Sequence, residues 1–139
     1  MTEPLAQRDP TAASQRERTP YWHTFAWAGG GIAHTWRSQR NMKVHVAISV
    51  AVVAVGVWVG LPPRDWAVLA LTIGVVLAAE VGNTAIEAVV DLASPDSHPL
   101  AKVAKDAAAG AVLILALAAV VVGLAILGPP LWARLMRPP

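Results

Sequence analysis

Three long apolar stretches decide what this chain can fold into. The first runs from about Val44 to Leu61. The second is apolar from Trp66 to Ala79 and continues as a helical pattern to about Ala93, and the third runs from Ala107 to about Leu131. A bilayer core about 30 Å thick takes about 20 helical residues to cross, at about 1.5 Å each. The first and third stretches meet that length directly. The second meets it if its more polar half is also helical and packed among other helices. Buried helices of a soluble protein are the alternative. They are disfavoured because 55% of the 139 residues are hydrophobic and only 14% are charged, which leaves almost no helix face for water. The expected fold is all-α and integral to the membrane, with a surface helix ahead of three transmembrane helices.

Turn chemistry divides the spans into about 44–61, 65–93 and 104–128, inside a membrane domain of 19–131. Leu61-Pro62-Pro63-Arg64-Asp65 is a tight break, Ser94 to Pro99 is a longer polar loop, and Gly128-Pro129-Pro130 is expected to end the last span. Basic residues set the orientation. Eight of them (Arg8, Arg16, Arg18, Arg37, Arg40, Lys43, Lys102 and Lys105) fall on one side, and three (Arg64, Arg134 and Arg137) on the other. The N-terminus and the 94–105 loop are therefore expected in the cytoplasm, with residues 132–139 as a short outer tail. Trp58, Trp66 and Trp132 fall at the outer boundary, where aromatic belts form.

Ahead of the first span, Thr19-Pro20 reads as a helix start. Trp22, Phe25, Ile32 and Trp36 then recur at helical spacing, with His23, Thr24, His34 and Arg37 between them. This predicts an amphipathic surface helix over about 19–40, an irregular interfacial loop being the alternative. Gly29-Gly30-Gly31 is expected to allow close packing or a break. Residues 1–18 are polar and mixed in charge, so they read as a disordered cytoplasmic tail and not as a signal peptide. The lack of cysteine excludes disulfides, thiol catalysis and Cys-based zinc sites, and a net charge of +2 without a dense basic face argues against nucleic acid as a partner.

The second span carries an unusual polar stripe. Glu80, Asn83, Glu87 and Asp91 sit at offsets of 0, 3, 7 and 11. At about 100° per residue they share an arc of about 80°, with Thr84 at its border. Each carboxylate costs about 2.5–3.5 kcal/mol near mid-membrane, so cations, a basic partner or protonation must compensate. Lys105-Asp106, at the start of the third span, lies at the same depth as the cytoplasmic end of the stripe. Carboxylates with open positions suit Mg²⁺, which keeps waters and bridges to phosphates, and a nearby lysine suits a phosphate. At a membrane surface these groups point to phosphoryl transfer involving a lipid head group. An ion-handling oligomer and a set of merely structural carboxylates are the other readings.

The residues themselves resemble a known family. Glu80-Val81-Gly82-Asn83-Thr84-Ala85-Ile86-Glu87-Ala88-Val89-Val90-Asp91 is similar to the E-x-x-N-[ST]-A-I-E-x-x-x-D signature of the prokaryotic diacylglycerol kinases. His98-Pro99-Leu100-Ala101-Lys102 and Ala104-Lys105-Asp106 to Leu113 resemble its next block, in wording closer to the undecaprenol kinase branch. The resemblance covers about residues 20–128. It implies a homotrimer in the bacterial cytoplasmic membrane that uses Mg²⁺ and ATP to phosphorylate a lipid alcohol, undecaprenol or diacylglycerol, at the cytoplasmic face. It implies Glu80 as general base, Asn83 as a positioning residue, and Glu87 as the metal ligand at the ATP phosphates. Lys105 would contact phosphate, Asp91 and Asp106 would support the nucleotide site, and Asp96, Ser97 and His98 would lie in the nucleotide-contacting loop.

One departure stands out. The family pattern E-x-N-F-R-I-H, whose Glu is a second metal ligand, corresponds here to Gln39-Arg40-Asn41-Met42-Lys43-Val44-His45. An amide in place of that carboxylate lowers the expected metal affinity, and it keeps a weakened or non-catalytic, nucleotide- or lipid-binding member as an alternative. His45 reads as an interfacial hydrogen-bonding residue, and Arg40 and Lys43 as head-group anchors.

Overall fold

The computed structural model describes residues 21–96 and 98–136. The expected tail at 1–18, the Thr19-Pro20 helix start, Ser97 and residues 137–139 lie outside the described residues. The chain forms four helices, α1 (Tyr21–Ser38), α2 (Arg40–Val59), α3 (Pro63–Ala93) and α4 (Pro99–Met136), and the described residues contain no strand. The last three are each long and apolar enough to cross a membrane. At about 1.5 Å per residue, α3 and α4 run about 46 and 57 Å, so both extend beyond a bilayer core.

The distribution of side chains is inverted relative to a soluble protein. The buried apolar residues are Met42, Leu61, Leu69, Val76, Ala108 and Val112, and they share the interior with Thr35, Glu80, Asn83 and Thr84. Large apolar side chains such as Val50, Val57, Leu71, Leu113, Leu117 and Leu124 face outward. Water would not tolerate that surface, whereas lipid does, and lipid in turn drives the polar groups inward.

α1 is separated from α2 by one extended residue, Gln39, whose backbone N–H donates to Thr35 O at 2.8 Å. Trp22, Phe25, Ile32 and Trp36 are all exposed, as a membrane-facing stripe requires. The expectation for Gly29-Gly30-Gly31 is corrected. The helix runs through all three, so they mark no break, and within one copy nothing lies within 4 Å of where a Cβ would stand.

The turn between α2 and α3 follows from backbone chemistry. Gly60 adopts the left-handed conformation (φ 76°), and the N–H groups of Gly60 and Leu61 both donate to Gly56 O at 3.1 Å. This Schellman-type cap satisfies a carbonyl that the helix end leaves free. Pro62 and Pro63 then start α3, where a missing N–H costs nothing. α3 packs most extensively against α4. α4 does not stop at Gly128-Pro129-Pro130, as the sequence suggests, but continues through both prolines to Met136. Gly128 has no Cβ to oppose the Pro129 ring, which removes one of the clashes that normally end a helix there. Beyond the prolines, the Arg134 guanidinium lies 5.4 Å from the centroid of the Trp58 ring and so ties α4 to α2.

Close packing between α2 and α3 rests on Gly56, where a Cβ would stand 2.9 Å from Trp66 Cη2 and 3.0 Å from Leu61 Cδ1. Gly56→Ala should therefore lower stability by about 1–3 kcal/mol by forcing the indole aside. Gly110→Ala, with nothing within 4 Å, should leave stability unchanged or raised. Thermal unfolding of both variants in the same detergent checks the contrast.

Candidate active site

α3 places Glu80, Asn83 and Glu87 on one face because their spacing returns to the same side of the helix. That face meets the start of α2 and the first half of α4. Together they enclose a cleft of about 290 Å³. Its polar wall is Gln39, Asn41, His45, Glu80, Asn83 and Glu87, and its apolar wall is Val44 with Ala109, Val112, Leu113 and Ala116. The small residues Ala109 and Ala116 let α4 line the cleft without filling it.

Glu87 is held by two amides. Asn83 Nδ2 donates to Glu87 Oε1 at 2.8 Å, and Gln39 Nε2 donates to Glu87 Oε2 at 2.7 Å. A carboxylate only accepts, so both amides must turn their NH₂ groups toward it. For Asn83 this leaves Oδ1 buried without a donor. Glu80 is 1% exposed, and neither of its carboxylate oxygens has a hydrogen-bond partner among the described residues. Thr84 does not relieve it, because its hydroxyl donates to the Glu80 backbone carbonyl at 2.9 Å. The cleft thus presents three acceptor atoms that have no hydrogen-bond partner among the described residues. Such a site suits a hydroxyl that donates, or a hard cation with oxygen ligands.

The remaining candidates lie further toward the α3–α4 loop, outside the cleft lining. Asp91 pairs with Lys105 across the two helices, and Lys102 pairs with Asp106 one turn apart on α4. Asp96 and His98 are exposed, and His98 Nδ1 accepts the Leu100 N–H at 3.2 Å, capping the start of α4. Ser97 lies outside the described residues. Lys43 donates to Arg37 O at 3.4 Å and so satisfies a carbonyl at the end of α1. Sequence reasoning missed Asn41 as part of the cleft and read His45 as an interfacial residue. Their four-residue spacing puts both on one face of α2, but only packing shows that this face meets Glu80.

The family model for prokaryotic diacylglycerol kinase matches residues 25–127, which include the whole cleft. An undecaprenol kinase of Bacillus subtilis is 43% identical over 117 residues, covering 84% of this chain and 95% of that protein. A diacylglycerol kinase of Synechocystis sp. is 47% identical over 109 residues, covering 78% of this chain and 62% of the relative's length. This is a membrane-embedded lipid kinase by class. The chain belongs to the prokaryotic diacylglycerol kinase family.

A buried carboxylate without a donor is expensive to keep. Glu80→Met, which fills the same space with apolar atoms, should raise unfolding stability by about 1–3 kcal/mol. Chemical or thermal unfolding in detergent measures it, and a loss of stability would show that Glu80 supports the fold.

Proposed function

We propose that this chain transfers the terminal phosphoryl group of ATP to the hydroxyl of a membrane lipid alcohol at the cytoplasmic face of the bacterial inner membrane. The observation that carries the reading is the pair of unpartnered Glu80 carboxylate oxygens, buried in a cleft beside Glu87. A lipid hydroxyl entering that cleft supplies the missing donor. Glu80 then takes the hydroxyl proton as the lipid oxygen bonds to the terminal phosphorus. The bond from that phosphorus to the ADP oxygen breaks, giving lipid phosphate and ADP.

The residues present fit a divalent cation, read here as Mg²⁺. Glu87 would hold it, because each of its oxygens keeps a lone pair beyond the amide hydrogen bond. Asn83 Oδ1 is a further unpartnered acceptor in the same cleft. Bound with the phosphates, Mg²⁺ would neutralise charge developing on the transferred group. No group of three or more acidic, His or Cys side chains suited to a metal occurs among the described residues. One carboxylate together with the nucleotide's own phosphates is an ordinary way for a protein to hold Mg²⁺.

Asn83 orients Glu87. Lys105 would exchange its exposed Asp91 partner for a phosphate oxygen, with Asp106, Asp96, Ser97 and His98 around the nucleotide on the same side. Undecaprenol is the favoured acceptor, supported by the near-complete coverage of the B. subtilis undecaprenol kinase. The positive-charge distribution supports a cytoplasmic N-terminus. A homotrimer is part of the reading, since small residues such as those from Ala107 to Ala111 let helices approach closely. Gln39 favours a second reading, a member with weakened or no catalysis that binds nucleotide or lipid.

Purified protein in bicelles, given labelled ATP, Mg²⁺ and either undecaprenol or diacylglycerol, separates the two. The expected result is lipid phosphate at a rate about 10³-fold above that of Glu80→Gln. Neither lipid being phosphorylated above that control would sink the kinase reading. In the same assay Lys105→Met should raise the nucleotide KM about tenfold, the usual order for losing one charge-assisted phosphate contact. Asp91→Asn should leave stability within about 1 kcal/mol, because the pair is exposed.

A further inference from the structure

Gln39 stands where the resemblance puts a second carboxylate, and the structure shows what its amide does there. It is the one residue between α1 and α2, with extended backbone (φ −98°, ψ 122°). Its side chain crosses to α3 and donates to Glu87 Oε2 at 2.7 Å. Among the described residues this is the one side-chain hydrogen bond that joins the α1–α2 segment to α3. The other side-chain bonds of that segment stay within it: Thr35 to Gly31 O, Ser38 to His34 O, Lys43 to Arg37 O and Ser49 to His45 O.

The chemistry of this bond is asymmetric. Glu87 carries the charge and Gln39 supplies only an N–H, so the bond is charge-assisted and needs no counter-ion between the partners. It uses one lone pair of Oε2, and a cation can occupy or leave the carboxylate while the amide stays in place. An acidic residue at 39 would behave differently. Two carboxylates would face each other at the same approach, and they would hold together only with a cation between them.

We propose that Gln39 is a positioning residue that makes the joint between the surface helix and the carboxylate-bearing helix independent of divalent cations. Its amide does the holding that a bridging cation does between two carboxylates. Glu87 is thereby aimed before any nucleotide arrives, and α1 stays docked throughout. The inference rests on the proposed function only in taking Glu87 as the carboxylate that receives the cation.

Arg37 and Arg40 flank the joint and supply a direct reading of it, since trypsin cuts after arginine only when the local backbone opens. The full-length wild type, Gln39→Glu and Gln39→Leu would each be digested in bicelles with Mg²⁺ or with EDTA, and mass spectrometry would follow cleavage after these residues. Wild-type cleavage should be the same in both conditions within about twofold, and Gln39→Glu should be protected about tenfold by Mg²⁺, reflecting the opening free energy of one charge-assisted bond. Gln39→Leu should be cut about tenfold faster than wild type in both conditions.

Wild-type protection that needs Mg²⁺, or Gln39→Leu cut as slowly as wild type, would overturn the proposal, as would Gln39→Glu showing no cation dependence. If Gln39→Glu does not fold, the wild-type and Gln39→Leu arms decide by the same criteria. The digest measures no phosphoryl transfer. A wild type that is inactive as a kinase yet protected through Gln39 would remove the functional reading and leave this one standing.

Discussion

Burying a carboxylate inside a membrane-length helix pair is the constraint on which the rest of this molecule depends. Glu80 is almost completely enclosed, and its oxygens have no donor among the described residues. In hydrocarbon an isolated charge of this kind would be driven to the surface or neutralised. Here it stays because α3 turns its polar face inward against α2 and α4 while the apolar faces of all three helices turn outward. The bilayer selects that arrangement. Polar residues have no better place to go than the interior, and apolar residues lose nothing by facing lipid. The cleft is therefore a consequence of the same partition that makes the helices span.

The second level of organisation is amide chemistry around Glu87. One amide from its own helix and one from the α1–α2 joint each occupy a carboxylate oxygen. The Asn83 bond follows helical geometry, since residues four apart on a helix are neighbours. The Gln39 bond is long-range and couples the surface helix to the site. Orienting Glu87 has a cost, because the Asn83 carbonyl oxygen is left without a donor. Unmet acceptors on Asn83 and Glu80 in one cleft are what a binding site looks like before its ligand supplies the donors. Exposed pairs such as Lys105–Asp91 are cheap to open by comparison.

Much of this was legible in the residues. Apolar length specified three spans, Leu61-Pro62-Pro63-Arg64-Asp65 marked the first turn, and the offsets of Glu80, Asn83, Glu87 and Asp91 placed them on one face. Those features are local: they follow from helical periodicity, backbone stereochemistry and the thickness of a bilayer, and a linear string carries them. Helix continuation through Pro129 and Pro130, the uninterrupted helix at Gly29-Gly30-Gly31 and the indole of Trp66 against Gly56 were not legible, because residue type alone does not say whether a proline pair or a glycine run breaks a helix, nor what packs against a glycine.

The site divides in the same way. The sequence by itself determined which residues carry charge in the membrane and that they share a stripe. It also showed that position 39 holds an amide. Tertiary structure decided which members of that stripe share a cleft, with Glu80, Asn83 and Glu87 inside and Asp91 outside. It also decided that Asn41 and His45 complete the wall and that the Gln39 amide closes on Glu87. The reason is physical. Helical periodicity defines a face within one helix, but which faces meet is settled only when helices pack and every buried polar group must find a partner or wait for one.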